Sequence, residues 1–448
     1  MEQTRLSGVC ESSDSRRPTW LPLLGWLPLA LAINSIFWQG PIAYWGRWLG
    51  LLVWIGYGFL TLVTSRKWRL REFDGLAIWV FSLIVISTFW AGENLSSDHS
   101  LAAVDFRQTA LIKACSLFLG YLTLTWGLES LLISLQTVVQ VINKFVIAVA
   151  LLLAVGLLGN LMGAIPWIAG AGAGLFVNPN TTTALALVTL PLAIWFYVQH
   201  PGLMGAWPSL TLVTALVLAQ ARSTVMVCGL LVFFYLVCWP GLRRLRLANL
   251  LFPLGLMLLG LVLFLSIDFW GTNLADSLVH GLRPNFDNAQ RPGLSSYRLN
   301  LLWPVFIQGI AASPGTFLIG HGWGSEEALM LFQADQSRFF AALNLISAHS
   351  AYLGLTYQIG LVGGVSVFGP LWAMVLRQML TPLPETITPY FQLKVSLVGV
   401  VLAALGVCVF ESGFYNLGAI YMLPSWMAIY LVTRLDQLPG QSEERSPV

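Results

Sequence analysis

Apolar residues in this chain come in long runs separated by short polar stretches. A membrane-spanning helix needs about 20 mostly apolar residues. Runs of that kind fall near 19–39, 45–64, 75–92, 109–126, 144–160, 181–198, 206–222, 224–240, 247–269, 350–376, 393–411 and 415–433. The pattern predicts about 12 transmembrane helices. The stretch 127–143 is weaker: Leu131, Leu132, Leu135, Val138, Val139 and Ile142 recur at helical spacing among polar residues. That predicts an amphipathic helix lying at the interface. The expected fold is an all-α polytopic membrane protein. Its parts are a tail at 1–18, helices one to nine over 19–269, a loop domain at 270–348, helices ten to twelve over 349–433, and a second tail at 434–448.

Charge orients these helices. Lys and Arg concentrate on the cytoplasmic side of a membrane protein. Arg66, Lys67, Arg69 and Arg71 crowd the loop after the second run, and Arg243, Arg244 and Arg246 the loop after the eighth. Arg377, Arg434 and Arg445 fall on the same side as the N-terminal Arg5, Arg16 and Arg17. Both termini are therefore expected in the cytoplasm and the long loop outside. The first run has no small-x-small cleavage site and reads as a spanning helix rather than a cleaved signal. The loop is too long for a simple connector. Within it, 295–312 and 325–345 read as helices, the second started by Ser325 and Glu326, with a Gly-rich turn at 314–324 between them. No internal repeat is visible, and spans seven to ten show no broken-helix pair of the kind found in many transporters.

Composition agrees with this picture. Apolar residues make up 57% of the chain and charged residues 10%, against roughly 25% charged in soluble domains. The 19 tryptophans and 12 tyrosines suit two membrane–water interfaces. A net charge of +3, with no clustered basic face, argues against a nucleic-acid partner. Cys10, Cys115, Cys228, Cys238 and Cys408 lie in the N-terminal tail or in apolar runs, and no Cys-x-x-Cys pair exists. Neither a disulfide framework nor a zinc site is expected.

The outer face holds few ionisable residues. Arg222 sits in the tight hairpin between the seventh and eighth runs; it reads either as a functional cation or as an interface anchor. Arg298 lies in Ser295-Ser296-Tyr297-Arg298-Leu299-Asn300, with Trp303 shortly after; alone it also reads as a solvated surface arginine. His349, in Ser347-Ala348-His349-Ser350-Ala351-Tyr352-Leu353, stands at the mouth of a span. It reads as a base, acid or ligand, or as a structural histidine bonded to a carbonyl. His321, in Gly320-His321-Gly322-Trp323-Gly324, has no carboxylate motif near it and no His-Glu-x-x-His exists, so no metal is expected. The glycines of 170–174, followed by Asn178, Asn180 and Thr181, read as a phosphate-binding nest or as a loop with an Asn cap. Glu411 and Lys113 stand near the outer ends of the eleventh and fourth runs, facing a shared cavity or paired structurally.

Two outer-face arginines and a histidine beside a bilayer suit one kind of chemistry. Arginine's planar fork binds phosphate oxygens and keeps its charge. A lipid-linked pyrophosphate is such a ligand, and its departure develops charge that fixed cations stabilise. The incoming hydroxyl needs a base, and neighbouring arginines favour the neutral, proton-accepting imidazole. This is glycosyl transfer without a metal or cofactor.

The segments that carry this reading also resemble the O-antigen ligase superfamily, which includes O-antigen polymerases and protein O-oligosaccharyltransferases. They are Phe176-Val177-Asn178-Pro179-Asn180, Gln220-Ala221-Arg222-Ser223, Arg298 with Trp303, Pro314 through Gly320-x-Gly322-x-Gly324, and His349-x-x-Tyr352-Leu353 leading to Gly360-Leu361-Val362-Gly363. The resemblance implies a GT-C-like membrane fold with its active site facing the periplasm of a bacterial inner membrane. It implies metal-independent, inverting transfer of a glycan from undecaprenyl pyrophosphate to lipid A–core, as in lipopolysaccharide biosynthesis, or to another glycan or a protein. Arg222 and Arg298 would hold the pyrophosphate and His349 would be the base. Asn178, Asn180, Trp303, Tyr352, Glu411, Lys113 and His321 complete the expected substrate-binding set. Ala221, Ser350 and His321 depart from the usual pattern, where Ser, Asn and an apolar residue stand. A transporter of a small anion such as bicarbonate is the alternative of another class.

Overall fold

The computed structural model describes residues 72–95, 135–165, 174–176, 179–219, 223–239, 302–326, 348–382, 384, 388–415 and 421–435, with scattered helical positions between 110 and 128. The helices are α1 (Glu72–Leu95), α2 (Leu135–Leu161), α3 (Pro179–Gln199), α4 (Leu203–Ala219), α5 (Ser223–Cys238), α6 (Trp303–Ile310), α7 (Pro314–Ile319), α8 (Ala351–Leu380), α9 (Pro389–Val407) and α10 (Met422–Leu435). A 3-10 turn, Gly413–Tyr415, precedes α10. No strand occurs among the described residues. Leu135–Leu161, Asn180–Gln199, Ala351–Leu380 and Pro389–Val407 are long and apolar enough to cross a membrane. Helices are the natural solution, because each backbone polar group finds its partner within its own segment. The predicted runs at 19–39, 45–64 and 247–269 lie outside the described residues.

Two local expectations change. From Leu135 onward, the segment read as an interfacial helix is the start of α2, one helix of 27 residues. Gln136, Gln140 and Asn143 lowered its average hydropathy, yet Val138, Val141, Ile142 and Phe145 form a buried face. The Gly-rich turn at 314–324 opens with the short helix α7. Ser313 caps it: its hydroxyl accepts from Thr316 N (3.1 Å), and Thr316 Oγ1 accepts from Ser313 N (3.0 Å). Pro314 follows at the position where a missing N–H costs nothing.

Helix α9 is the axis of the bundle. From Val395 to Val407 every residue is buried, and α3, α5, α8 and α10 pack around it. Inside a bilayer, helices associate through close packing rather than through a hydrophobic drive, so small residues matter. A β-carbon on Gly399 would stand 3.2 Å from both Pro191 Cβ on α3 and Tyr235 Oη on α5, and one on Gly406 would stand 2.9 Å from Val227. Gln199 Nε2 donates to Gln392 Oε1 (3.1 Å), which joins the end of α3 to the start of α9. Ala351 N donates to Cys408 O (2.8 Å), which joins the start of α8 to the end of α9. The N-termini of α3, α5 and α8 and the C-terminus of α9 therefore share one end of the bundle.

Helix α8 is broken near its first third. Ile359 (φ −122°, ψ 16°) and Gly360 (φ 70°, ψ 178°) leave helical geometry. Spans seven to ten were expected to carry no broken-helix pair; here one of them is interrupted. The break draws in the loop after α7. Tyr357 O accepts from His321 N and Gln358 O accepts from Gly322 N, both at 2.8 Å. Gly320 and Gly360 meet backbone to backbone: a β-carbon on Gly360 would collide with Leu318 O, and one on Gly320 with Gly360 N. Both have positive φ. Gly360→Ala is expected to destabilise the protein by roughly 2–4 kcal/mol. Gly75→Ala, whose β-carbon would meet nothing within 4 Å, should leave stability unchanged or slightly raised. Thermal unfolding of the two variants in detergent checks this.

Candidate active site

His349 stands where the chain enters α8. Its φ is 48°, the only positive φ of a non-glycine residue among the described residues. The left-handed conformation costs an L-residue roughly 1–2 kcal/mol, so the surroundings must hold it. Ala348 N donates to Glu326 Oε1, and Ala348 O accepts from Trp303 Nε1 at 3.1 Å. On the other side, Ser350 is the N-cap of α8; its hydroxyl accepts from Leu353 N and donates to Cys408 O, both long at 3.5 Å. Ala351 N donates to Cys408 O (2.8 Å) and to Glu411 O (3.1 Å). A serine caps a helix about as well as an asparagine, so Ser350 fills the place of the usual residue without loss of geometry.

Ser325 and Glu326 are helical, as expected for a helix start. What the sequence did not reveal is that Glu326 is only 4% exposed. A buried carboxylate must be hydrogen-bonded, and this one is. Its Oε2 accepts from Tyr415 Oη (2.7 Å) and Gln358 Nε2 (3.0 Å), in addition to the Ala348 bond. Gln358 Oε1 in turn accepts from Gly324 N (2.7 Å). Trp323 packs edge-on against Tyr415, with ring centroids 5.6 Å apart. Tyr415 and Trp323 also border an apolar cavity of about 150 Å³ that Phe81, Phe118, Leu371 and Trp426 help to line.

The other expected residues divide. Trp303 and Glu411 come to the His349 junction, the first through its indole and the second through its backbone carbonyl. Asn180, half-buried in the first turn of α3, lies at the same end of the bundle. The Tyr352 hydroxyl accepts from Trp372 Nε1 (3.0 Å) and donates to Leu405 O (3.3 Å), tying α8 to α9. The His321 ring stacks on Tyr357 at 4.3 Å, and its Nε2–H donates to Gly309 O (2.9 Å). Gly174 N donates to Asn160 Oδ1 (2.7 Å), so this amide of the glycine stretch is used structurally. Arg222, Arg298, Asn178 and Lys113 lie outside the described residues; α5 begins at Ser223, immediately after Arg222. Among the described residues no group of three His, Cys, Asp or Glu side chains is placed to hold a metal.

Residues 207–368, from α4 to the middle of α8, match the family model described as O-antigen ligase. This stretch is similar to the O-antigen ligase family. It contains both the break in α8 and the His349 junction, and it supports a membrane glycan-transfer function of the O-antigen ligase or polymerase type. No curated protein matches the chain.

Within the matched stretch, His321 gives a pH dependence. Desolvation lowers its pKa below the ordinary 6.5, and the bond to Gly309 O partly offsets this. The unfolded chain therefore takes up the proton first on acidification. Stability from this group is present above pH 6.5 and is lost as pH falls toward the lowered value. His321→Gln should flatten the decline in melting temperature between about pH 7 and pH 5, measured by thermal unfolding at constant ionic strength.

Proposed function

We infer that this protein transfers a glycan from undecaprenyl pyrophosphate to an acceptor hydroxyl on the periplasmic side, with lipid A–core as the acceptor. The observation that carries this reading is His349, held in a left-handed conformation at the head of α8 inside the stretch that matches the O-antigen ligase family. A backbone fixed from both sides gives the imidazole a set position at the bundle end, and a set position is what a general base needs.

The proposed reaction is one displacement. The acceptor oxygen forms a bond to the anomeric carbon from the face opposite the leaving group, and the configuration inverts. The bond from that carbon to the pyrophosphate oxygen breaks, and the electron pair leaves with undecaprenyl pyrophosphate. The hydroxyl proton passes to a ring nitrogen of His349. Arg222 and Arg298 neutralise the charge that gathers on the leaving group. No step calls for a metal or cofactor.

His349→Ala is expected to lower transfer by roughly 10²–10⁴-fold, with the protein still present in the membrane. Arg222→Ala and Arg298→Ala should each abolish transfer in the same assay. Near wild-type turnover by His349→Ala would remove the base assignment. Deleting the protein in its host and running surface lipopolysaccharide on a gel separates the acceptor readings. Loss of all capped bands marks a ligase, and a single-repeat band marks a polymerase. An unchanged ladder would exclude both.

A further inference from the structure

We propose that Glu326 is a positioning residue for His349, acting through the backbone of Ala348 rather than on substrate. This rests on the reading of His349 as the base. Four observations carry it. The carboxylate is buried, so it is shielded from a substrate arriving from outside. Three donors converge on its two oxygens: Ala348 N, Gln358 Nε2 and Tyr415 Oη. That is the pattern of an acceptor-only, ionised carboxylate, and its lone pairs are committed to protein groups. One of the three donors is the amide immediately before the left-handed His349. The packing leaves the carboxylate little freedom, since a β-carbon on Gly354 would stand 2.9 Å from both Glu326 oxygens.

The three anchors come from three places. Ala348 leads into α8, Gln358 lies just before the break in α8, and Tyr415 lies between α9 and α10. Glu326 itself lies two residues after the Gly320–Gly324 motif, whose Gly324 N is held by the same Gln358. The carboxylate therefore sets the height of the His349 peptide against the break and against the α9–α10 connection. Charge makes these bonds stronger than their neutral counterparts. A neutral amide of the same shape would turn an NH₂ toward the Gln358 NH₂, whose own oxygen is occupied by Gly324 N.

That donor–donor conflict defines the test. Purified full-length protein is assayed with an undecaprenyl-pyrophosphate-linked glycan and lipid A–core. Glu326→Gln should lower kcat roughly 10–100-fold, the scale of a base displaced by about 1 Å, with the donor KM unchanged within about threefold. The exchange Glu326→Gln with Gln358→Glu should regain most of the lost kcat. In it the amide at position 326 still accepts from Ala348 N and donates to the carboxylate at 358, which still accepts from Gly324 N. Tyr415→Phe, which removes one anchor and leaves the carboxylate, should give a smaller kcat loss, again at constant KM. If Glu326→Gln does not fold, Tyr415→Phe alone decides the matter. Unchanged kcat in the variant that folds, or a rise in donor KM alone, overturns the proposal. So does a folded exchange variant that recovers nothing. His349→Ala runs as a separate arm. If it is inactive while Glu326→Gln turns over normally, only the positioning role fails. If it is active, the base reading fails, and any defect of Glu326→Gln no longer runs through His349.

Discussion

Two backbone carbonyls, Tyr357 O and Gln358 O, in the first third of α8 decide how the end of the bundle around His349 is arranged. In hydrocarbon, an unpaired carbonyl costs several kcal/mol. A break in a span is therefore tolerated only where something else donates. In α8 the donors are the amides of His321 and Gly322, delivered by the loop after α7. That exchange forces the rest. The loop must approach the span at backbone contact, so Gly320 and Gly360 have no room for side chains. Gly309 must be small to admit the Tyr357 ring, which stacks on His321. With the loop so fixed, Glu326 arrives beneath His349, and the head of α8 is defined by the loop as much as by the bundle.

The chemistry inherits this order. A general base contributes by standing in the right place; for the base proposed above, that place would be set by backbone bonds on both sides of His349. Trp303 and Glu326 hold the Ala348 end, and Ser350, Cys408 and Glu411 hold the α8 end. These contacts run through the main chain of the neighbouring residues and do not use the imidazole. The arrangement fits the glycan-transfer function that the match to the O-antigen ligase family supports.

Much of the helical framework was legible in the sequence, and much of the site was not. Apolar runs marked α3, α4, α5, α8 and α9 within a few residues, because hydropathy over a whole span averages out local exceptions. The start of α2 was misread for the same reason in reverse: Gln136, Gln140 and Asn143 weigh on the average, although one face is fully apolar. His349 was visible as a histidine at a span mouth. Glu326 was not visible as the acceptor of the Ala348 amide, since an acid after a serine is also what a helix start looks like, and burial is a tertiary fact. The break at Gly360 was hidden among Gly363 and Gly364, glycines that also suit close helix packing. The departures at Ser350 and His321 resolve physically: one is an ordinary cap, and the other spends its ring on Tyr357 and Gly309.

The bond between Glu326 and Ala348 has a topological side. It joins positions 326 and 348 directly, so the chain from 327 to 347 leaves and returns at nearly the same point. For such an excursion, added length costs little, because closure entropy grows only as the logarithm of the number of residues. The bond therefore holds both ends of this stretch at one place, whatever its length. A change of length between the two positions leaves the closure at Ala348, and with it the backbone entering His349, as it is.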